Sequence, residues 1–237
     1  MQSKWKKIIA VLMIAVFVLS GCGSIGEKKN SANGTVHLTF GHGQAEGHPY
    51  HKAALYFKEQ VENKTNGRVI VDIQPNGNLG DEREMTEGLQ LGTIDITVAV
   101  AATLSGFDSD MDVFNFPYLF DTREQAFQVL DSETGKEIFD GMKEQGIEIY
   151  GTFDLGFRSM TNSKHPIKTP EDAKGIRMRT LESSVCVDSL GELGIDAVSM
   201  SFGELFTALQ TGAVDGQENP LLRSCCYARK ISKITLN

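Results

Sequence analysis

Three polar residues between Gly156 and Pro220 have the chemistry to hold a small anion: Arg158 in GFRSMTN, Arg179 in GIRMRT and Asn219 in DGQENP. A guanidinium presents a planar fork of donors that matches a carboxylate two-pronged, and such a charge-assisted contact is worth roughly 1.5–3 kcal/mol. Two forks would fix both the position and the orientation of an acid. Arg177 shares the face of Arg179 by alternation against Ile176 and Met178, so spacing leaves open which of the two enters a cleft.

Other chemistries have weaker support. His42, His48 and His51 with Glu46 lack the i, i+4 pair of a helical zinc motif and lie in a glycine-broken segment, so no metal site is expected. The same segment, GHGQAEG, almost spells a dinucleotide fingerprint, but its third glycine falls one place late and no cofactor is expected. Asp215 and Glu218 could pair for acid–base work, yet no nucleophile accompanies them and polar capping near a strand end is the expected role. Without a GxSxG elbow or a placed Ser/His/Asp or Cys/His set, an enzyme is not expected, and a hydrolase is the weaker alternative.

The chain of 237 residues carries a net charge of −8 with 41% hydrophobic and 23% charged residues, ordinary values for a globular chain. Acidic residues are scattered along every segment and no basic run follows the first few residues, so nucleic acid is excluded as a partner and an anion site must be local. Lys4, Lys6 and Lys7 precede an apolar run from Ile8 to Leu19, the proportions of a signal peptide. Leu19-Ser20-Gly21-Cys22 resembles the lipobox of bacterial lipoproteins. That resemblance implies a signal peptide over 1–21, lipidation of Cys22 and export to the outer face of the cell membrane or the periplasm. Residues 22–34 are polar and Gly/Ser/Asn-bearing, as in a flexible tether. Cys186, Cys225 and Cys226 remain, an odd set to which no bridge is assigned; Cys186 is expected to be a small buried residue on a helix.

The elements that would position the anion site follow an alternating pattern. Strands are expected over Val36–Phe40, Val69–Ile73, Ile94–Val100 and Ile147–Phe153, and helices from Pro49 to Gly67, Asp81 to Leu91, Thr122 to Leu130 and Thr134 to Gln145. The aromatic stretch VFNFPYLF is expected to pack in the core or between lobes. From Asp154 the alternation restarts, with strands over Arg158–Thr161, Ile176–Arg179, Ile195–Val198 and Val214–Gly216. The helices interleaved with them are expected at Pro170–Lys174, Ser183–Leu193 and Phe202–Thr211. Strand–helix–strand alternation implies an α/β fold with mostly parallel sheets flanked by helices, divided into lobe I over 35–153 and lobe II over 154–237. Ligands of such sheets lie beyond the carboxyl ends of strands, which is where Arg179 falls and just past which Asn219 is expected.

Four separated segments carry a family likeness in one order: VIVDIQPNGNLGDEREMTEGLQLGTIDI, FNFPYLFDTREQAF, DFGFRSMTNSKHPIKTPEDAKGIRMRT and VSMSFGELFTALQTGAVDGQENP. Together they resemble the dicarboxylate-binding type of solute-binding protein of tripartite ATP-independent periplasmic (TRAP) transporters, from about Val36 to Pro220. The resemblance implies a two-lobed periplasmic-binding-protein-like fold of type II character with a cleft between lobes. It implies capture of a sugar acid or C4-dicarboxylate and delivery to small and large membrane subunits; a sensor subunit for the same acids is the alternative. By the family's motif, Arg179 rather than Arg177 holds the ligand carboxylate, Arg158 is a second contact and Asn219 a third. Glu46, His48 and Thr103 are implied on the facing lobe, where a carboxylate such as Glu46 would suit hydroxyl groups better than a second acid. Family chains continue for roughly a further third, so the C-terminal remainder of lobe II is expected to be absent from this sequence, and LLRSCCYARKISKITLN fits the family poorly after Leu221.

Overall fold

The computed structural model describes residues 34–220 and the short strand Thr235–Leu236. The signal segment, Cys22 and all but the last residue of the tether lie outside these residues, as do Cys225 and Cys226. No helix among the described residues is long and apolar enough to cross a membrane.

Two sheets organise the chain. The first is wholly parallel, in the order β2-β1-β3, from β1 (Val36–Gly41), β2 (Val69–Gln74) and β3 (Ile96–Thr97). The second has the order β6-β5-β7-β4-β8, from β4 (Arg158–Asn162), β5 (Arg177–Thr180), β6 (Asp196–Ser199), β7 (Gly216–Pro220) and β8 (Thr235–Leu236). In it β5 pairs parallel with β6 and β7, while β4 pairs antiparallel with β7 and β8. The fold is thus α/β with mostly parallel sheets, as the alternation implies.

The helices form where the chain satisfies their first free N–H groups. Helix α1 is Pro49–Lys64, with proline in its first turn; α2 is Glu82–Leu91, between an Asp81/Glu84 capping box and left-handed Gly92. Short α3 (Ala101–Leu104) follows β3, and α4 (Arg123–Leu130) starts from a Thr122/Gln125 box. Next come α5 (Glu133–Gly141), the one-turn α6 (Pro170–Ala173), α7 (Ser184–Gly191) capped by Ser183, and α8 (Phe202–Thr211) between a Ser201/Glu204 box and left-handed Gly212.

Packing follows the sheet faces. Ala54 and Val61 of α1 meet Phe40 and Val71. In the second sheet Leu190 of α7 packs on Ile176, Met178 and Ile195, while Leu205, Ala208 and Leu209 of α8 pack with Val198 and Val214. Complete burial of Leu205 contributes about 1.5–3 kcal/mol.

Several expectations need correction. The segment Ile94–Val100 forms a ladder only at Ile96–Thr97, because the Asp95 carboxylate accepts the Thr39 N–H at 2.9 Å ahead of it. Ile147–Phe153 is not a strand. Ile147 and Ile149 do pack inward while Glu148 and Tyr150 face out, but no neighbouring strand among the described residues pairs with them. The helix expected to run to Gln145 ends at Gly141 and tightens into a 3-10 turn over Met142–Gln145, closed by Gly146 at φ 75°. Of VFNFPYLF, Phe114 reaches the core against Phe139, but Phe116, Leu119 and above all Tyr118, 98% exposed, do not. Cys186 is half-buried on α7, with its thiol pKa raised by burial.

The second sheet leaves no room at Gly216, where a Cβ would lie 2.8 Å from the Asn162 Cβ and against the Thr161 carbonyl. We expect Gly216→Val to lower stability by about 1–3 kcal/mol, read by denaturant unfolding; an unchanged midpoint would show that β4 and β7 can part. Beneath the first sheet's carboxyl edge, His42 is 1% exposed, its Nδ1 accepting the Gln44 N–H at 3.3 Å and its Nε2 lying 3.1 Å from His51 Nδ1. A backbone N–H only donates, so Nδ1 is bare and the proton sits on Nε2. Burial lowers the His42 pKa, and His51 and His48 lower it further. A depressed folded pKa means that the unfolded chain takes up the proton first. This stabilisation is therefore complete above about pH 6.5 and is lost as pH falls towards the folded value. The melting temperature of the wild-type protein should fall between pH 7.5 and 5.5, with a smaller fall in His42→Gln; equal slopes would clear His42 of the effect.

Candidate functional site

Register places the candidate site at the carboxyl end of β5. In the ladders Arg179 lies beside Gln217 of β7, Thr161 of β4 lies opposite Gln217, and Ser159 lies opposite Asn219. Alternation then puts Arg179, Gln217, Asn219 and Thr161 on one face of the sheet and Thr180, Glu218 and Met178 on the other. The two arginines are therefore carried by different layers.

On the first face Arg179 is 1% exposed, the largest wholly buried side chain among the described residues, and its Nε donates to the Met200 carbonyl at 3.0 Å. Gln217 Nε2 donates to Thr161 Oγ1 at 3.0 Å, and Asn219 Nδ2 donates to Gln217 Oε1. This amide chain fixes which way the Asn219 side chain is turned. Arg177, by contrast, is exposed beside Asp196 at 3.6 Å, with its N–H donated to Asp215 at 3.1 Å. The two arginines between which alternation left the choice open thus differ in depth: Arg177 is exposed at the start of β5, and Arg179 is buried in the sheet interior.

On the second face Arg158 is already engaged. Its Nε donates to Glu218 Oε2, and its Nη2 donates to Glu218 Oε1 at 3.0 Å, to the Glu218 carbonyl at 2.7 Å and to Asn219 Oδ1 at 3.2 Å. Thr180 Oγ1 completes the set, donating to Glu218 Oε1 at 2.9 Å. Glu218, expected to cap a strand end, is instead the partner of Arg158, a pairing that sequence spacing did not reveal. Asp215 does take the capping role, accepting from Arg177 N and from Lys164 Nζ at 3.0 Å. Its burial raises the carboxyl pKa, but these donors outweigh it and the net shift is downward. Asn219 lies within β7 rather than beyond it, because Pro220 pairs opposite Arg158 as the last residue of the strand and no N–H is needed there.

The loop after β5 meets the first half of the chain. Ser183 Oγ donates to Asp112 Oδ1 at 2.5 Å, and Ser184 Oγ lies 3.5 Å from Asp112 Oδ2. Beside them Glu182 has its carboxyl pKa raised, first by burial and then by Asp81 at the start of α2, against the pull of Arg179.

The remaining candidates lie beyond the carboxyl ends of the first sheet. His48 caps α1, its Nδ1 accepting the Tyr50 N–H at 3.2 Å, and Thr103 is buried on α3. Glu46 is exposed and lines a shallow groove with His51, Leu55, Lys58 and Gln74. Among the described residues no group of three or more His, Cys, Asp and Glu side chains could hold a metal ion.

Comparison with known proteins places this arrangement. Residues 40–235 match the family described as bacterial extracellular solute-binding protein, family 7 (DctP), a match that runs past Leu221. The C4-dicarboxylate-binding periplasmic protein DctP of Rhodobacter capsulatus is 36% identical over 201 residues, 83% of this chain and 59% of that protein. The sugar acid binding protein of Advenella mimigardefordensis, solved with galactonate, superposes with a TM-score of 0.80 at 34% identity, covering 82% of this chain and 64% of that one. A TRAP periplasmic solute-binding protein of a Polaromonas species, bound to D-erythronate, gives 0.78 at 36% identity over 81% and 64%. The chain thus spans about six-tenths of the length of these proteins. With a matching family profile over most of its residues and the same fold as acid-bound neighbours, the chain belongs to the family 7 (DctP) bacterial extracellular solute-binding proteins.

Proposed function

We propose that this chain is the ligand-capturing part of a TRAP transporter, taking a small organic acid by its carboxylate. The observation that carries this reading is Arg179, a permanently charged side chain buried at the carboxyl end of a parallel strand. Ligands of open α/β sheets lie at the carboxyl ends of the strands, and a guanidinium fixed there matches a carboxylate in charge and shape. Galactonate and D-erythronate in the neighbouring structures are carboxylates of that kind.

In this mechanism Arg179 receives the carboxylate, and Arg158 acts one step behind it. Two of the donor groups on Arg158 are committed to Glu218 and Asn219, so it holds Asn219 in place rather than gripping the acid with a free fork. His48 and Thr103 would supply contacts from the facing lobe. Closing the lobes excludes water and lowers the local dielectric, which strengthens every charged contact inside. Micromolar capture needs about −8 kcal/mol, within reach of one buried arginine pair, neutral hydrogen bonds and desolvation after ordering costs. The loaded protein would then pass the acid to small and large membrane subunits while lipid on Cys22 keeps it at the outer face of the membrane.

Arg179→Lys retains the charge but loses the fork. Calorimetry with galactonate, D-glucuronate and succinate should show affinity falling on the order of 100-fold for whichever acids bind, with Arg177→Lys near wild type. Equal affinity in wild type and Arg179→Lys would remove Arg179 from the site.

A further inference from the structure

Gln44 stands out among the polar side chains of the first sheet's carboxyl edge. It is 5% exposed, and its Nε2 is buried with no hydrogen-bond partner among the described residues. A buried amide donor left unmade costs about 1–3 kcal/mol, and folded proteins seldom retain one without a purpose. The main chain cannot swing to relieve it. Gln44 N is donated to His42 Nδ1 at 3.3 Å, and its carbonyl accepts the Asn76 N–H at 3.0 Å. The neighbouring His42 carbonyl accepts the Gly77 N–H at 3.1 Å, so two loops are tied side by side. Asn76 and Gly77 both have left-handed φ, 61° and 67°, which turns their N–H groups towards this segment.

Its place in the fold gives the donor a use. Gln44 follows β1, the middle strand of the parallel sheet, so it stands beyond the carboxyl ends where ligands of open α/β sheets lie. Of the other polar side chains of the segment, His48 uses its Nδ1 to cap α1, and Glu46 is exposed beside Lys58 and Gln74. Around Gln44 the ring of His42 is neutral, with its one proton directed to His51. A neutral carboxamide beside a neutral imidazole suits hydroxyl groups, because it offers a donor and an acceptor together and no countercharge for a second carboxylate.

Resting on the functional reading above, we infer that Gln44 is a specificity-determining contact for a polyhydroxylated monocarboxylate: the acid end lies on Arg179 and a chain hydroxyl accepts from Gln44 Nε2. Discrimination of this kind is steep, since an acid lacking the hydroxyl leaves the amide buried and unpaired.

The test is titration calorimetry on the full 237-residue chain and its Gln44→Leu and Gln44→Met variants, with galactonate, D-glucuronate and succinate as probes. Both variants should bind the two hydroxylated acids about 10-fold more weakly or worse, while any binding of succinate changes by less than about threefold. Thermal melts identify a variant that fails to fold, in which case the other is read alone; the flexible methionine fills the same space. The assignment is overturned if galactonate and D-glucuronate bind both variants within about threefold of wild type, as they would if the amide served a buried water. It is overturned equally if succinate weakens as much as the hydroxylated acids, or if the wild type binds succinate alone. A wild type that binds no acid brings down the functional reading itself, a different result from acid binding that is indifferent to Gln44.

Discussion

A guanidinium never loses its charge at ordinary pH, so a protein that takes one out of water must give it acceptors, and this chain does so for buried Arg179 and for part-buried Arg158 on either side of β7. Arg158 is matched from inside by Glu218, with Thr180 steadying the carboxylate and Asn219 taking a further donor. Arg179 is deeper and donates Nε to a main-chain carbonyl, that of Met200. The two arginines are thus tied to the sheet on opposite faces, Arg158 to a side-chain carboxylate and Arg179 to a main-chain carbonyl. Both depend on the antiparallel register of β4 against β7 and the parallel register of β5 against β7. A one-residue slip would send Arg179, Gln217 and Asn219 to the opposite layer.

The first sheet contributes a different chemistry. Its carboxyl edge offers a buried amide, a neutral histidine and a buried threonine hydroxyl, with Glu46 turned to an open groove. In the proposed site, a permanent charge on one side and neutral donors on the other would distinguish the two ends of the ligand. The link from Ser183 to Asp112 joins these halves immediately beyond β5, so their approach is set close to the arginine rather than at a distance.

Much of this was legible in the sequence for local reasons. The helices expected from Asp81 to Leu91 and over Phe202–Thr211 form as Glu82–Leu91 and Phe202–Thr211, because caps at Asp81 and Ser201 and glycines at 92 and 212 set their ends through chemistry contained in a few residues. Family likeness pointed to Arg179; that it is buried while Arg177 is exposed shows only in the structure. What sequence could not supply was non-local. Glu218 reads as a strand-end carboxylate until β4 is laid beside β7, when it becomes the partner of a residue sixty positions away. The alternation of Ile147–Phe153 was real in packing, yet a strand needs a neighbour as well as a pattern. Gln44 carried no signal at all, because an unmatched donor shows only once its surroundings are known.

The central claim, that Arg179 meets the ligand while Glu218 keeps Arg158, is tested most directly by a crystal structure with a bound acid such as galactonate. The account requires the carboxylate within hydrogen-bonding distance of the Arg179 guanidinium, with the Arg158–Glu218 pair intact. A carboxylate that displaces Glu218 from Arg158, or that binds away from the carboxyl end of β5, would contradict it.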